Sequence, residues 1–284
     1  MRLKIGLMFA NGAAASEPGR ATELAVHAES LGFESLWAVQ HIAVPVRYAS
    51  RYPYSEKGTI PGGNDVAIPD PLIWLSYVAA QTRSIKLATG VLVLPQQHPL
   101  VVAKQIATLD RLSGGRMIVG LGAGWLEEEF RAVGQDFASR GRRLEEGIEV
   151  LRASWAEKPV AFHGETLDFD EVLVAPKPAQ DRVPIYLGGH TERAVRRAAR
   201  IADGFFPLAV RGEKLASLIG VLRAAASREG RQVEVTAEAP RDAAEARVVR
   251  DLAVDRVLAY VPARDGELRP ALAMIMERIE SLLR

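Results

Sequence analysis

Short apolar runs alternate along the chain with segments in which apolar residues recur every three or four positions. The segments of the second kind predict helices, and one of them places Val102, Ile106, Leu109 and Leu112 on a single face. Eight runs of the first kind are typical of strands: Leu3–Phe9, Ser35–Val39, Lys86–Leu92, Arg116–Leu121, Pro184–Gly188, Gly204–Leu208, Val233–Ala237 and Arg256–Tyr260. Eight strand–helix units with continuous apolar strands predict the α/β class, as a closed (β/α)8 TIM barrel.

An open, doubly wound sheet is the alternative fold for such an alternation. It would be expected to carry a glycine-rich phosphate loop after its first strand, but "MFANGAAASEPG" matches neither common form of that loop. The barrel is therefore favoured, as a single domain over residues 1–284. No linker, repeat or low-complexity tract divides the sequence.

Two long connections interrupt the alternation. Residues 41–70 follow the second strand and are rich in Pro, Gly and Tyr. Residues 159–181 precede the fifth strand, and "VAFHGETLDF" alternates around Gly164 as a small hairpin would. Functional sites of TIM barrels lie at the carboxyl ends of the strands, and long connections are often lids or binding elements. We therefore expect both connections to belong to the functional face.

Composition narrows the choice of partners. Lys and Arg number 36 against 35 acidic residues, so a net charge of +1 provides no long-range field for nucleic acid or an anionic membrane. The chain has no cysteine, which excludes disulfides and thiolate chemistry. No apolar stretch approaches the ~18 residues of a membrane span, and the N-terminus is typical of a first strand. These features predict a cytoplasmic protein with a small-molecule substrate.

The ends of two strands suggest a phosphate site. The fourth strand continues into "GLGAGW" (Gly120–Trp125), and the fifth into "LGGHTE" (Leu187–Glu192). Glycine lets a ligand approach the backbone closely, and Thr191 at a helix start lies beside the positive end of the helix dipole. An ordinary N-cap turn explains the second motif equally well. Taken together, the two motifs predict one phosphorylated ligand lying across both strand ends.

His41 is the best candidate for proton transfer, since it follows the second strand directly and an imidazole titrates near neutral pH. His98 and His190 lack the spacing of metal ligands, and no metal is predicted. Trp125 and nearby tyrosines offer flat surfaces to a planar ring. Trp37, inside a strand, is expected to pack in the core.

Three segments carry a resemblance to a known family. "ELAVHAESLGFESLWAVQHI", "IKLATGVLVLPQQHPLVVAKQIATLDRLSGGRMIVGLGAGWLEEEF" and "PIYLGGHTERAVRRAARIADGFFP" resemble the luciferase-like monooxygenase superfamily. The similarity covers about residues 1 to 208 and is closest to the branch of oxidoreductases that use the deazaflavin coenzyme F420.

The resemblance implies a flavin or deazaflavin in the barrel mouth, with its ring against a non-proline cis peptide that would be Gly90–Val91. It implies that His41 moves a proton during hydride transfer. One departure concerns the residue before this histidine, which is commonly acidic in relatives and is a glutamine here. The cofactor contacts implied by the resemblance and by the strand-end motifs are Gln40, Thr89, Gly90, Val91, Gly122, Gly124, Trp125, Gly188, Gly189, His190 and Thr191.

Three functions follow as hypotheses. The first is an F420-dependent oxidoreductase that passes hydride between bound F420 and a small organic substrate enclosed by residues 41–70. The second is an FMN-dependent monooxygenase, which would receive reduced flavin from a separate reductase and would use oxygen. The third is a catalytically silent ligand-binding barrel, which only Gln40 favours. Relatives often pair through barrel helices, which implies a homodimer.

Overall fold

The computed structural model describes residues 3–55, 57–60, 63–262 and 267–284. Eight parallel strands close into a barrel in which each strand lies beside the next one along the chain, and a two-stranded hairpin stands outside the barrel. Closure occurs between the first and last strands, where Lys4 pairs with Arg256 and Met8 with Tyr260. The predicted (β/α)8 barrel is confirmed. Three residues of the long 41–70 connection, at positions 56, 61 and 62, lie outside the described residues.

All eight predicted strands are present. The strands, including a separate hairpin, are β1 Lys4–Met8, β2 Ser35–Ala38, β3 Lys86–Thr89, β4 Met117–Leu121, β5 Val160–His163, β6 Asp168–Val172, β7 Ile185–Gly188, β8 Gly204–Phe206, β9 Glu234–Glu238 and β10 Arg256–Tyr260. The helices are α1 Pro18–Ser30, α2 Pro71–Ala79, α3 Pro99–Leu112, α4 Glu127–Ala132, α5 Arg140–Trp155, α6 Glu192–Ile201, α7 Gly212–Arg228, α8 Ala243–Asp251 and α9 Leu268–Leu283. Within the described chain, no helix combines the length and apolar character needed to cross a bilayer.

The packing of α3 follows its predicted apolar face except at the last residue. Val102, Ile106 and Leu109 of α3 are buried, as their spacing predicts, whereas Leu112 is 79% exposed. Leu112 is the last residue of the helix, which ends before Gly114 adopts a left-handed conformation at φ 71°. The spacing of apolar residues therefore predicts burial only where the helix packs against the barrel.

The barrel interior is filled by large side chains. Trp37 is completely buried and packs edge-on against Tyr186 and at a tilt against Phe206, as expected for a core residue. At the amino-terminal ends of the strands, the buried Arg256 guanidinium donates two hydrogen bonds of 2.9 Å to Glu34. This end of the barrel is sealed by packing and paired charge, which leaves the carboxyl-terminal end as the open one.

The hairpin β5–β6 corrects an expectation. It lies before β7, as predicted, but it follows the end of α5 and not the carboxyl end of a strand. Its turn rests on the outer side of α5, where Glu146 accepts backbone N–H bonds from Glu165 and Thr166 at 2.9 and 3.0 Å. No residue of 159–181 lines the cavity at the mouth. The hairpin therefore supports a helix and does not cover the functional face.

Candidate active site

A cavity of about 850 Å³ opens at the carboxyl-terminal ends of the strands. This size lies in the range of small-molecule and cofactor sites. His41 lines it, together with all the predicted cofactor contacts except one: Gln40, Gly90, Val91, Gly122, Gly124, Trp125, Gly188, Gly189, His190 and Thr191. The exception is Thr89, which is fully buried and donates its hydroxyl hydrogen bond to the Gly120 carbonyl at 2.7 Å. Thr89 therefore joins two strands below the cavity.

The floor of the cavity is a ledge at the end of β3. The Gly90–Val91 peptide is cis, in agreement with the prediction. A Cβ atom placed on Gly122 would lie 2.5 Å from one methyl carbon of Val91, and a Cβ on Gly188 would lie 3.0 Å from the other. The two glycines are therefore required because the Val91 side chain fills the space between β4 and β7. Their missing side chains leave the room that the Val91 side chain occupies.

Gln40 supports the same ledge from the side of β2. Its side chain is buried, and its Oε1 accepts a hydrogen bond of 2.7 Å from the Val93 backbone N–H. A buried N–H without an acceptor would cost about 1–3 kcal/mol, so this amide has a structural task. Gln40, which stands where the resemblance implies an acidic residue, thus fixes the backbone just beyond Val91.

His41 has a carboxylate partner that comes from elsewhere in the chain. Its Nδ1 lies 3.1 Å from Oε2 of Glu129, which belongs to α4. The other carboxylate oxygen accepts the backbone N–H groups of Ile42 and Ala43 at 2.6 and 3.1 Å. One carboxylate therefore orients the imidazole and also fixes the backbone that follows it.

The charge state of Glu129 decides which nitrogen of His41 is basic. Burial alone would raise the pKa of Glu129, but the hydrogen bond and charge of His41, with the backbone N–H groups, hold it below its ordinary value. An ionised carboxylate can only accept, so Nδ1 of His41 donates to it. In neutral His41 the lone pair then lies on Nε2, the nitrogen left for a ligand. This arrangement can accept or deliver a proton at one defined atom.

The neighbouring Glu128 also binds the long connection of residues 41–70 to α4. Glu128 accepts the backbone N–H groups of Ala49 and Ser50 at 2.7 and 3.3 Å, and the bonds from Ser50 and Ala49 lower its pKa to about 2. Trp125, just before the helix, contacts His41 and Tyr52 edge-on with ring centroids 6.1 and 5.2 Å apart. The described parts of residues 41–70 therefore fold back over the cavity as an anchored wall.

One side of the cavity is basic. The N-terminal ends of α5 and α6 both reach it, and their arginines Arg140, Arg142, Arg193 and Arg197 line it. Burial and the charges of Arg193 and Arg197 lower the pKa of Arg140. Thr191 caps α6 by accepting the Ala194 N–H at 3.3 Å, which confirms the N-cap interpretation. Two helix ends and clustered arginines suit a phosphate group.

The opposite side of the cavity is apolar. It is formed by Phe9 at the end of β1, by Ile60 and Ile68 of the long connection, and by Tyr260 and Val261 at the end of β10. Phe9 and Tyr260 stack with a centroid distance of 5.6 Å. Burial raises the pKa of Tyr260, so its hydroxyl stays neutral, and it donates to Glu238 at 3.2 Å. This side offers mainly apolar contact area, although Arg20 of α1 also lines the cavity.

Sequence reasoning missed two sets of residues. Glu129 was visible as the last glutamate of "GWLEEEF", and the α6 arginines as a repeat at three- and four-residue spacing. Neither pattern says which way the helix faces, so neither predicted a site role.

Conversely, His98 does not line the cavity. It lies at the N-cap of α3, where its Nδ1 accepts the Leu100 N–H at 3.3 Å.

Comparison with known proteins agrees with this geometry. A family model described as luciferase-like monooxygenase matches residues 1–277. An F420-dependent glucose-6-phosphate dehydrogenase of Kineococcus radiotolerans is 33% identical over 230 residues, which are 78% of this chain and 63% of that protein. An FMNH2-dependent dimethylsulfone monooxygenase of Pseudomonas putida is 34% identical over 160 residues, 55% of this chain and 44% of that protein.

A solved structure has the same fold. An F420-dependent secondary alcohol dehydrogenase, in complex with an F420-acetone adduct, superimposes with a TM-score of 0.79. The match covers all of both chains at 18% sequence identity, so it concerns the fold. The relatives thus include users of both coenzymes within one architecture.

Proposed function

Because the chain belongs to the luciferase-like monooxygenase family, we propose that it is an F420-dependent oxidoreductase acting on a small organic substrate. The observation that carries the proposal is the His41–Glu129 pair at the edge of a ledge-floored cavity with one basic side. A planar ring, a phosphate and a proton-transfer group each have a matching place around this cavity.

The described residues fit such a cofactor. The ledge at Gly90–Val91 would support the ring, and Thr191 with the arginines of α5 and α6 would hold the phosphate. The Nδ1 atom of His190, a residue of the cavity wall, is buried and has no hydrogen-bond partner among the described residues. A buried polar atom without a partner is expected to receive one from a ligand or from water. The bound cofactor would supply hydride transfer, which no amino-acid side chain provides.

The protein's own part is orientation and proton handling. Glu129 fixes the Nδ1–H tautomer, so that Nε2 of His41 takes or returns the proton that accompanies oxidation or reduction of a hydroxyl or carbonyl substrate. Tyr52, Tyr54 and Ile60 of the long connection line the cavity and would limit the access of water to a bound ligand. Gln40, which cannot serve as a base, leaves this role to the pair of His41 and Glu129.

F420 is favoured over FMN by the extent of similarity. The alignment with the F420-dependent relative covers 78% of this chain, against 55% for the FMNH2-dependent one. The test is a titration of the purified protein with F420 and with FMN, followed by the fluorescence of each ring. We expect saturable binding of F420 that is tighter than binding of FMN. Tight uptake of FMN with F420 ignored would instead identify a flavin monooxygenase.

A further inference from the structure

A second cavity of about 660 Å³ lies beside the mouth, on the outer surface between α5, α6 and α7. Arg193 and Arg197 line both cavities, so the two adjoin each other along the side of α6. We call this second cavity the arginine groove. It is lined by Glu145, Glu192, Arg193, Arg196, Arg197, Ala199, Arg200, Ala225, Arg228 and Glu229.

The arginine groove carries more positive charge than its own carboxylates neutralise. Five arginines face three glutamates, which leaves a net charge of +2. Glu145 is shared by Arg197 and Arg200, and Glu192 binds Arg196 at 3.3 Å. The side chains of Arg193 and Arg228 make neither a hydrogen bond nor an ion pair with any described residue.

This distribution differs from an ordinary solvated helix face. Surface arginines are usually interspersed with acidic residues at helical spacing, which gives neutral ladders. Here α6 presents four arginines at positions 193, 196, 197 and 200, and only Glu192 on the same helix lies with them in the groove. The row begins inside the mouth, where a phosphate would lie, and continues outward. Its geometry matches a ligand whose negative charges continue in a chain beyond the phosphate.

We propose that the arginine groove binds an acidic tail of the cofactor, with several carboxylates in sequence. The inference rests on the proposed function and deepens it. F420 has such a tail, because its phosphate continues through a lactyl group into a chain of glutamates, whereas FMN ends at the phosphate. The tail would pass Arg193 and Arg197 on leaving the mouth and then run towards Arg196, Arg200 and Arg228.

The experiment compares two ligands that differ only in the tail. F420 with several glutamates and the same deazaflavin ending at the phospholactate are titrated against the protein at low and high salt. Each exposed charge pair contributes about 0.2–1 kcal/mol and is screened by salt. We therefore expect the tailed form to bind about tenfold more tightly at low salt, with the preference shrinking as salt rises.

Two variants locate the preference on the surface. Arg196 and Arg228 line the arginine groove but not the mouth, so the double variant R196Q/R228Q should reduce the preference about fivefold and leave the affinity for the tail-less form unchanged. R83Q is the matched control, because Arg83 is exposed and lies between α2 and β3, away from both cavities. It should leave both affinities unchanged.

The outcomes separate the two proposals. Equal affinity of the wild-type protein for tailed and tail-less deazaflavin would overturn the tail site and leave the proposed function standing. A preference that persists in R196Q/R228Q would also overturn it. Failure of both deazaflavins to bind would contradict the proposed function itself. The wild-type comparison does not depend on the folding of any variant.

Discussion

The α5–α6 side of the mouth and the side formed by the 41–70 segment with β1 and β10 differ in chemistry. The first holds four arginines and two helix N-termini, and the second is lined by residues such as Phe9, Ile60 and Val261. A charged group gains most where opposite charge and helix dipoles already point at it, whereas apolar contacts are not directional. The basic side is therefore suited to fixing one end of a ligand, and the apolar side to enclosing the other.

The boundary between the two sides is where chemistry is expected. The ledge at Gly90–Val91 and the His41–Glu129 pair both lie there, next to the wall that contains Tyr52 and Trp125. Burial of Tyr52, together with the nearby Tyr54 and Glu238, raises its pKa to about 12. A ligand anchored at its anionic end would place its far end on the ledge beside Nε2 of His41. The comparison thus assigns binding to the basic side and reaction to the boundary between the two sides.

The largest expected effect comes from replacing two histidines, one at the boundary and one on the basic side, and comparing turnover with cofactor affinity. His41→Ala should reduce turnover by about 10²–10⁴-fold, because it removes the proton-transfer group, and should change cofactor affinity little. His190→Ala, on the basic side, should do the reverse, lowering affinity and sparing turnover at saturating cofactor. The measurement is kcat with any substrate that the wild-type protein converts, alongside the cofactor Kd. Equal losses of turnover and affinity in H41A would favour a binding protein.

The ledge provides the second test, since it lies between the two sides. Gly122→Ala would push a Cβ to within 2.5 Å of a Val91 methyl carbon, and such overpacking costs about 1–3 kcal/mol of stability. Val91→Ala removes that methyl, so the G122A/V91A double variant should recover most of the loss. The measurement is the free energy of unfolding together with cofactor Kd.

The control is Gly220→Ala, because no atom lies within 4 Å of a Cβ at that helical position. G220A should be neutral or stabilising by about 0.5–1 kcal/mol, since alanine favours the helix. If G122A were as harmless as G220A, the account of the ledge as a wedge between two glycines would be wrong.

The sequence predicts the barrel and the floor of the site well, for a physical reason. Strand runs and glycines such as Gly122 and Gly188 are local features, and their neighbours across the sheet follow from strand order. Thr89 does not line the cavity, because side chains at a strand end alternate between the interior and the neighbouring strand, so that a shift of one residue changes where a side chain points.

The remaining features depend on tertiary placement. Arg193 and Arg197 belong to a repeat that is equally typical of a solvated helix, and only the position of α6 turns them towards the mouth. The hairpin was expected on the functional face, but the order of elements along the chain does not determine at which end of the barrel an inserted hairpin lies. Glu129 reaches His41 across 88 residues of sequence, and no local pattern encodes that contact.

The smallest expected effect concerns Glu129 and distinguishes charge from packing. Because the pKa of Glu129 is lowered in the folded protein, its contribution to stability is present above its unfolded pKa of about 4.3 and is lost as pH falls through the lower folded value. Glu129→Gln should therefore cost about 1–2 kcal/mol at pH 7, where the charged hydrogen bonds exist, and much less near pH 3. Denaturant unfolding at several pH values measures this difference. Glu127→Gln is the control, since the ion-pair partner of its carboxylate among the described residues is the exposed Arg131, and it should change stability by less than about 0.5 kcal/mol at any pH. An E129Q penalty that is the same at pH 3 and pH 7 would mean that shape, and not charge, holds His41 in place.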